Sequence, residues 1–248
     1  ENLSKQWGEP HYAKARLWWE KAAAQGNANA QFFLGALYAE GQGVPQDYAK
    51  ARQWYEKAAA QGNAGAQHNL AGLYLNGNGV PQDYAQAAKR FEQAALQGKA
   101  IAQIWLGLLY ADGKGVPQDY AQAAKWYQKA AAQGYAPAQA SLGGAYIMGD
   151  GMPQDFTQAA MWFKKAAAQG NPLAQFALGG LYATGNSVPQ DDVRAYMWYS
   201  LVVEEELDSG DKLAAEKRDE IVRRMTPAQI AEAQRLTQQC QARQFKGC

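Results

Sequence analysis

The sequence predicts an all-α solenoid built from 36-residue helix-turn-helix repeats, and three observations predict it. The run Pro-Gln-Asp starts at Pro45, Pro81, Pro117, Pro153 and Pro189, and the pair Gln-Gly starts at Gln25, Gln61, Gln97, Gln133 and Gln169, each 36 residues apart. Aromatic residues keep the same register: Tyr38, Tyr74, Tyr110, Tyr146 and Tyr182, and Trp18, Trp54, Trp126, Trp162 and Trp198, with Arg90 in the missing Trp slot. Each period also holds two stretches of helical apolar spacing separated by Gly and Pro. One such hairpin cannot bury both faces, whereas stacked copies can.

The elements follow in chain order. Residues 1–8 precede the pattern and are predicted to be a frayed start. Residues 1–26 form a half-repeat, in which Tyr12, Trp18 and Trp19 match the second helix of a unit only. Copy one then opens with Asn27 as N-cap. Ala30, Leu34, Leu37 and Tyr38 line one face of its first helix. Gly41-Gln42-Gly43-Val44-Pro45 stops that helix, and Asp47 caps the second. Tyr48, Ala51, Trp54, Tyr55, Ala58 and Ala59 are its predicted buried stripe, Lys57 favours its C-terminal dipole, and Gly62 ends it. Five copies fill residues 27–206. The period fades after Trp198-Tyr199, where Val202 and Val203 replace the Ala pair. Residues 207–248 are predicted to be capping helices and a tail: one helix from about Asp211 to Met225, and a second capped by Thr226 with Pro227 in its first turn and Ile230, Ala233 and Leu236 inward. The expected total is about thirteen helices and no sheet.

Composition excludes several functions. Lys and Arg number 24 against 23 Asp and Glu, so no basic excess points to nucleic acid. Mean hydropathy is −0.50, and no apolar run approaches the roughly 18 residues of a membrane span. A hydrophobic content of 48% argues against disorder. The two histidines, His11 and His68, lie in different units, and no H-E-x-x-H, C-x-x-C or Walker-type loop occurs. Gly149-Asp150-Gly151 lacks the alternating oxygen ligands of a calcium loop and reads as an inter-helix turn. Ser209-Gly210-Asp211-Lys212 matches S-x-x-K of penicillin-recognising enzymes, but the companion Ser-Asp-Asn and Lys-Thr-Gly motifs are missing, so Ser209 reads as a helix start. No catalytic residue, metal or cofactor is expected. The acidic run Glu204-Glu205-Glu206 with Asp208 is a solvated helix end or a partner contact, and Lys217-Arg218 with Arg223-Arg224 reads as a salt-bridged outer face. Cys240 and Cys248 are either two incidental thiols or a short disulfide loop tying the tail to the last helix.

The unit resembles the Sel-one-like repeat, a branch of the tetratricopeptide superfamily. Ala30, Leu34, Gly35, Tyr38, Gly41, Gly43, Val44, Asp47, Ala51, Trp54, Tyr55, Lys57, Ala58, Ala59 and Gly62 carry the likeness, which spans roughly residues 9–225. The ending Arg224-Met225-Thr226-Pro227-Ala228-Gln229-Ile230-Ala231 looks like the cap of bacterial members. Departures are Ala71 for Gly, Arg90 for Trp and Ser187 for Gly. The resemblance implies a right-handed αα superhelix that binds proteins, in a bacterial and exported setting, periplasmic or secreted. It also implies two alternatives: immunity against a secreted antibacterial effector, and a β-lactamase-like activity. By analogy with tetratricopeptide grooves, a protein partner is expected on the concave side at Phe32, His68, Ile101, Ile104, Leu108, Ile147, Met148, Leu173 and Phe176. The competing account is that successive inner helices cover these residues.

Overall fold

The computed structural model describes residues 9–186, 188–203 and 210–248. Among them are thirteen α-helices and no strand, so the all-α solenoid expectation holds. The chain divides into two compact units, Glu1–Asp119 and Tyr120–Cys248. The first contains α1 (Glu9–Ala24), α2 (Ala28–Glu40), α3 (Tyr48–Ala60), α4 (Ala64–Asn76), α5 (Tyr84–Leu96) and α6 (Ala100–Asp112). The second contains α7 (Tyr120–Ala132), α8 (Ala136–Met148), α9 (Phe156–Ala167), α10 (Pro172–Thr184), α11 (Asp192–Val203), α12 (Gly210–Val222) and α13 (Pro227–Ala242). Even-numbered helices up to α10 are the first helix of a copy, and odd-numbered helices up to α11 are the second. Each packs on its chain neighbours within the unit. In addition α2 meets α4 and α8 meets α10, while no two second-type helices meet as closely. The first-type row is therefore the inner side of each stack.

Each recurring polar residue closes a helix end that would otherwise leave backbone groups unpaired. Asn27 Oδ1 accepts from the Ala30 N–H at 2.9 Å, and Asp47 Oδ1 accepts from the Lys50 N–H at 2.9 Å. Gly41, at φ 68°, sends its N–H back to the Leu37 carbonyl, a left-handed stop that costs glycine least. The Gln of Pro-Gln-Asp finishes the same end, since Gln46 Nε2 donates to the Ala39 carbonyl at 2.8 Å. The Gln of Gln-Gly works across copies. Gln61 Nε2 donates to Gln31 Oε1 at 2.8 Å, while Gln31, itself buried, donates to the Ala23 carbonyl at 3.3 Å. The same pair recurs as Gln97 to Gln67 and Gln169 to Gln139. These amides let the turns pack inside the stack with their polar groups satisfied.

Of the predicted stripe of α3, Ala51, Tyr55, Ala58 and Ala59 are buried, while Tyr48 and Trp54 are half-buried. The deep aromatic is the residue after the Trp: Tyr55, Phe91, Tyr127, Phe163 and Tyr199 are all buried. Its ring lies flat on a first-type helix, where a Cβ on Gly35 would come within 2.5 Å of Tyr55 and one on Gly143 within 2.7 Å of Phe163. Trp54, Trp126 and Trp162 are expected to be largely buried, yet Trp54 and Trp162 are only half-buried, and Trp126 is buried. A lysine one turn on covers each ring, with Lys57, Lys129 and Lys165 at 4.4, 4.2 and 4.1 Å from the centroids of Trp54, Trp126 and Trp162. A cation over the ring face stabilises such a pair by about 0.5–1 kcal/mol at an exposed site. In copy two both partners change together, and Arg90 Nη1 donates to Gln93 Oε1 at 3.1 Å.

The C-terminal helices close the second unit. Thr226 caps α13 in a reciprocal pair with Gln229. Of the residues expected inward, Ala233 is buried, and Ile230 and Leu236 are half-buried. Arg224 holds the α12–α13 turn down, bonding both carboxylate oxygens of Asp192 at 2.6 and 2.9 Å and the Ala183 carbonyl at 3.0 Å. Ser187, Glu204, Glu205, Glu206, Asp208 and Ser209 lie outside the described residues.

Candidate protein-binding face

The inner face follows from helix geometry. Residues 30, 31, 34, 35 and 37 of α2 are buried, so the opposite stripe of α2 is Asn29, Phe33, Ala36 and Glu40. In register, α4 presents Gly65, Asn69, Gly72 and Asn76, and α6 presents Ile101, Trp105, Leu108 and Asp112. In the second unit, α8 presents Pro137, Ser141, Gly144 and Met148, and α10 presents Leu173, Ala177, Gly180 and Thr184. This stripe keeps the expected positions of Ile101, Leu108, Met148 and Leu173, and departs from them at the register of Phe32, where the next residue faces outward instead, and at that of Ile147. Phe32, His68 and Phe176 turn sideways against the deep aromatic of their own copy, with ring centroids 6.1, 5.4 and 5.4 Å from Tyr55, Phe91 and Tyr199.

Ile104, in the same register, is only 5% exposed and offers no open surface. Among the other expected contact residues, Phe32, His68, Ile101, Ile147 and Phe176 are half-buried, Leu108 is exposed, and Met148 and Leu173 stand 72% and 73% exposed. In the first unit His68, Ile101 and Leu108 sit on neighbouring helices, while Phe32 lies a copy earlier. In the second, Ile147 and Met148 end α8, and Leu173 begins α10. Two inner-face residues were not anticipated. Phe33 stacks on Trp19 at 5.0 Å, and Trp105, 37% exposed, stacks on Phe91 at 6.0 Å. Both directly follow a residue that was selected, and their spacing of three or four from the inner-face positions Ala36, Ile101 and Leu108 was the available signal.

The electrostatics of the face are mild. Burial, and secondarily the charge of Lys99, pushes His68 down to about 4, so it is neutral at physiological pH. Burial pushes Tyr55 up to about 12 despite the hydrogen bond that its hydroxyl accepts from Asn69 at 3.0 Å. No group of three His, Cys, Asp or Glu side chains able to hold a metal exists among the described residues. None of the described helices is long and apolar enough to cross a membrane. At the far end, Cys240 and Cys248 lie close together, with Cα atoms 5.5 Å apart, a separation that a disulfide spans.

Stacked helix pairs with one row on the inner side are the architecture of a helical repeat scaffold. Sel1 repeat units match residues 6–27, 28–63, 64–99, 100–135, 136–171 and 172–201, and the chain belongs to this family, whose repeats mediate protein–protein contacts. Among solved structures it is similar to a Sel1 repeat protein of Oxalobacter formigenes, at 32% identity, TM-score 0.75, and coverage of 86% of this chain and 85% of that one. It is also similar to a putative Sel1 repeat protein of Klebsiella pneumoniae, at 26% identity, TM-score 0.50, and coverage of 83% and 98%. A third likeness is to c5321, a protective antigen present in uropathogenic Escherichia coli strains, at 30% identity, TM-score 0.48, and coverage of 93% and 64%. No curated protein matches the chain.

Proposed function

We propose that this chain is a non-enzymatic binding module of the bacterial periplasm whose inner stripe docks a partner protein or peptide. The observation that carries the reading is α6. Ile101, Trp105 and Leu108 form one apolar stripe, where the same positions of α4 are Gly65, Asn69 and Gly72. The α4 set shows that the repeat forms without large apolar side chains at these positions, so the exposed part of the α6 set is available to a partner. Met148 and Leu173 extend the argument within the second unit. The compartment is supported by the cysteine pair at bonding separation, which oxidising compartments favour.

A photo-crosslinking residue at position 105, with a control at the second-type position 53, tests the reading in the producing bacterium. A discrete adduct from 105 alone, lost on Leu108→Glu, is the expected result. Equal labelling from both positions would reject the inner face. Immunity to a secreted effector is a special case. Its mark is that the adduct contains the product of a neighbouring toxin gene and that co-expression restores growth.

A further inference from the structure

Departures from the repeat cluster at one corner of the first unit, where α5 turns into α6. Arg90 replaces Trp and Gln93 replaces Lys, so the cation–aromatic pair of copies one, three and four is gone. Leu96 stands 70% exposed where other copies have Ala60, Ala132 and Ala168. Lys99 occupies the N-cap slot held by Asn27, Asn63 and Asn171, and gives α6 no side-chain cap bond. Tyr135 also fails to cap, but the turn before it keeps Trp126, Lys129 and Ala132.

These changes work against the fold. An uncapped helix start reduces stability, and a large apolar side chain left in water gains nothing on folding. What they create has a definite chemistry. Asn63 Nδ2 reaches back to Asn29 Oδ1 at 2.9 Å, but the residue in register behind Lys99 is Gly65, which offers no acceptor. Lys99 makes no ion pair, and neither do Lys89 and Arg90; Glu92, the one carboxylate of α5, pairs with none of them. His68 alongside is neutral. The result is three cations without an ion pair, Lys89, Arg90 and Lys99, within seven residues of an exposed Leu96, which itself precedes Ile101 of the inner stripe by five residues.

We infer that the α5–α6 corner, through Arg90, Leu96, Lys99 and Ile101, docks an acidic protein segment that carries an apolar side chain. The inference rests on the protein-binding reading and adds the partner's chemistry. Three cations are few for nucleic acid, where tight binders neutralise about 6–10 phosphates, and few for an anionic bilayer, which basic clusters of about 4–8 recognise. One apolar side chain set among fixed charges suits a peptide that has both features.

The probe is a fluorescent peptide, Glu-Glu-Leu-Glu-Phe-Glu, beside counterparts with Gln or Lys in place of Glu. The Glu peptide should bind most tightly and weaken with salt. The double variant Leu96→Ala, Lys99→Asn should weaken it about tenfold, the equivalent of about 1.4 kcal/mol. The same variant should raise the thermal midpoint by about 2–4 °C, because Asn restores the cap. A lower midpoint would mean that these residues serve the fold, and would overturn the inference. So would equal binding of the three peptides, or tighter binding of oligothymidylate or phosphatidylglycerol vesicles. Trp105→Glu separates the two readings. If it abolishes peptide binding while the corner variant does not, the inner stripe stands and the corner falls. If neither variant matters, both fall.

Discussion

The α3–α4 and α5–α6 corners are the same structure with different fillings. Both rest on a deep aromatic, Tyr55 or Phe91, and both close with the Gln pair that bridges copies. Above that shared base they diverge. The first has Trp54 under Lys57, a small Ala60 and the capping Asn63; the second has Arg90 with Gln93, Leu96 and the non-capping Lys99. Both corners form the same helices with the same ends, so the upper layer contributes little to choosing the fold. That layer is where a repeat protein can vary its surface without losing its architecture.

The largest effects should come from the shared base and be alike in both corners. Tyr55→Ala and Phe91→Ala should each cost about 3–5 kcal/mol, the usual range for emptying a buried aromatic site. Urea unfolding measures this. A loss below about 1 kcal/mol in one corner only would show that the corners do not share a foundation.

A third corner, α9–α10, sharpens the contrast because the chain covers it. The Phe245 ring comes within 3.1 Å of where a Cβ on Gly170 would sit, whereas Gly62 and Gly98 meet nothing. Phe245 lies on the tail between Cys240 and Cys248. If the two cysteines are bonded, reduction should add about two hydrogens to the intact mass. It should also cost roughly 2 kcal/mol of local protection, as expected for a short loop. Hydrogen exchange should show that loss at α10 and α13 and leave α4 and α6 unchanged. An unchanged mass would remove the bridge and, with it, the support it gives to a periplasmic setting.

Smaller effects separate the upper layers. Trp54→Ala should cost about 1–2 kcal/mol through lost ring contacts and the lost lysine pair, while Arg90→Ala should stay within about 0.5 kcal/mol. The double change Arg90→Trp, Gln93→Lys should gain about 0.5–1 kcal/mol, more than the sum of its parts. Additive single changes would mean that the two positions are not a coupled pair.

The fold was legible because a fixed period repeats its own evidence: Asn27, Asp47 and Gly41 each cap as their chemistry dictates. Two things were not legible, for one physical reason. Adjacent helical residues point about 100° apart, and an apolar pair such as Trp54-Tyr55 or Phe32-Phe33 does not say which member turns inward. Lys57 marked Trp54 as the wetter of its pair, because a lysine one turn away can cover a ring only where its ammonium stays in water. For the inner face, a shift of one residue at the register of Phe32 alone put Ile104 on the open side when it is buried, and passed over Trp105. The corner at Leu96 and Lys99 was readable as a departure from register, but only Arg90 was singled out. Its meaning needed the observation that Lys99 has no partner.

The last contrast is pH dependence near neutrality, which the second corner has through His68 and the first lacks. His68 of α4 packs on the second corner's Phe91 as Phe32 of α2 packs on the first corner's Tyr55, and burial followed by the Lys99 charge lowers its pKa from 6.5 to about 4. Between those values the unfolded chain binds the proton and the folded chain does not, so stability falls as pH falls through this window and is fully present above it. Wild-type unfolding midpoints should therefore drop between pH 6.5 and pH 4.5 by more than those of His68→Phe, which copies the first corner and cannot titrate. Lys99→Asn removes the neighbouring cation, so His68 should titrate at a higher pH in that variant, which NMR of its ring protons would follow. If His68→Phe retains the full acid sensitivity, carboxylates elsewhere are responsible. His68 would then be a packing residue like Phe32, and the corners would differ only in their outer cations.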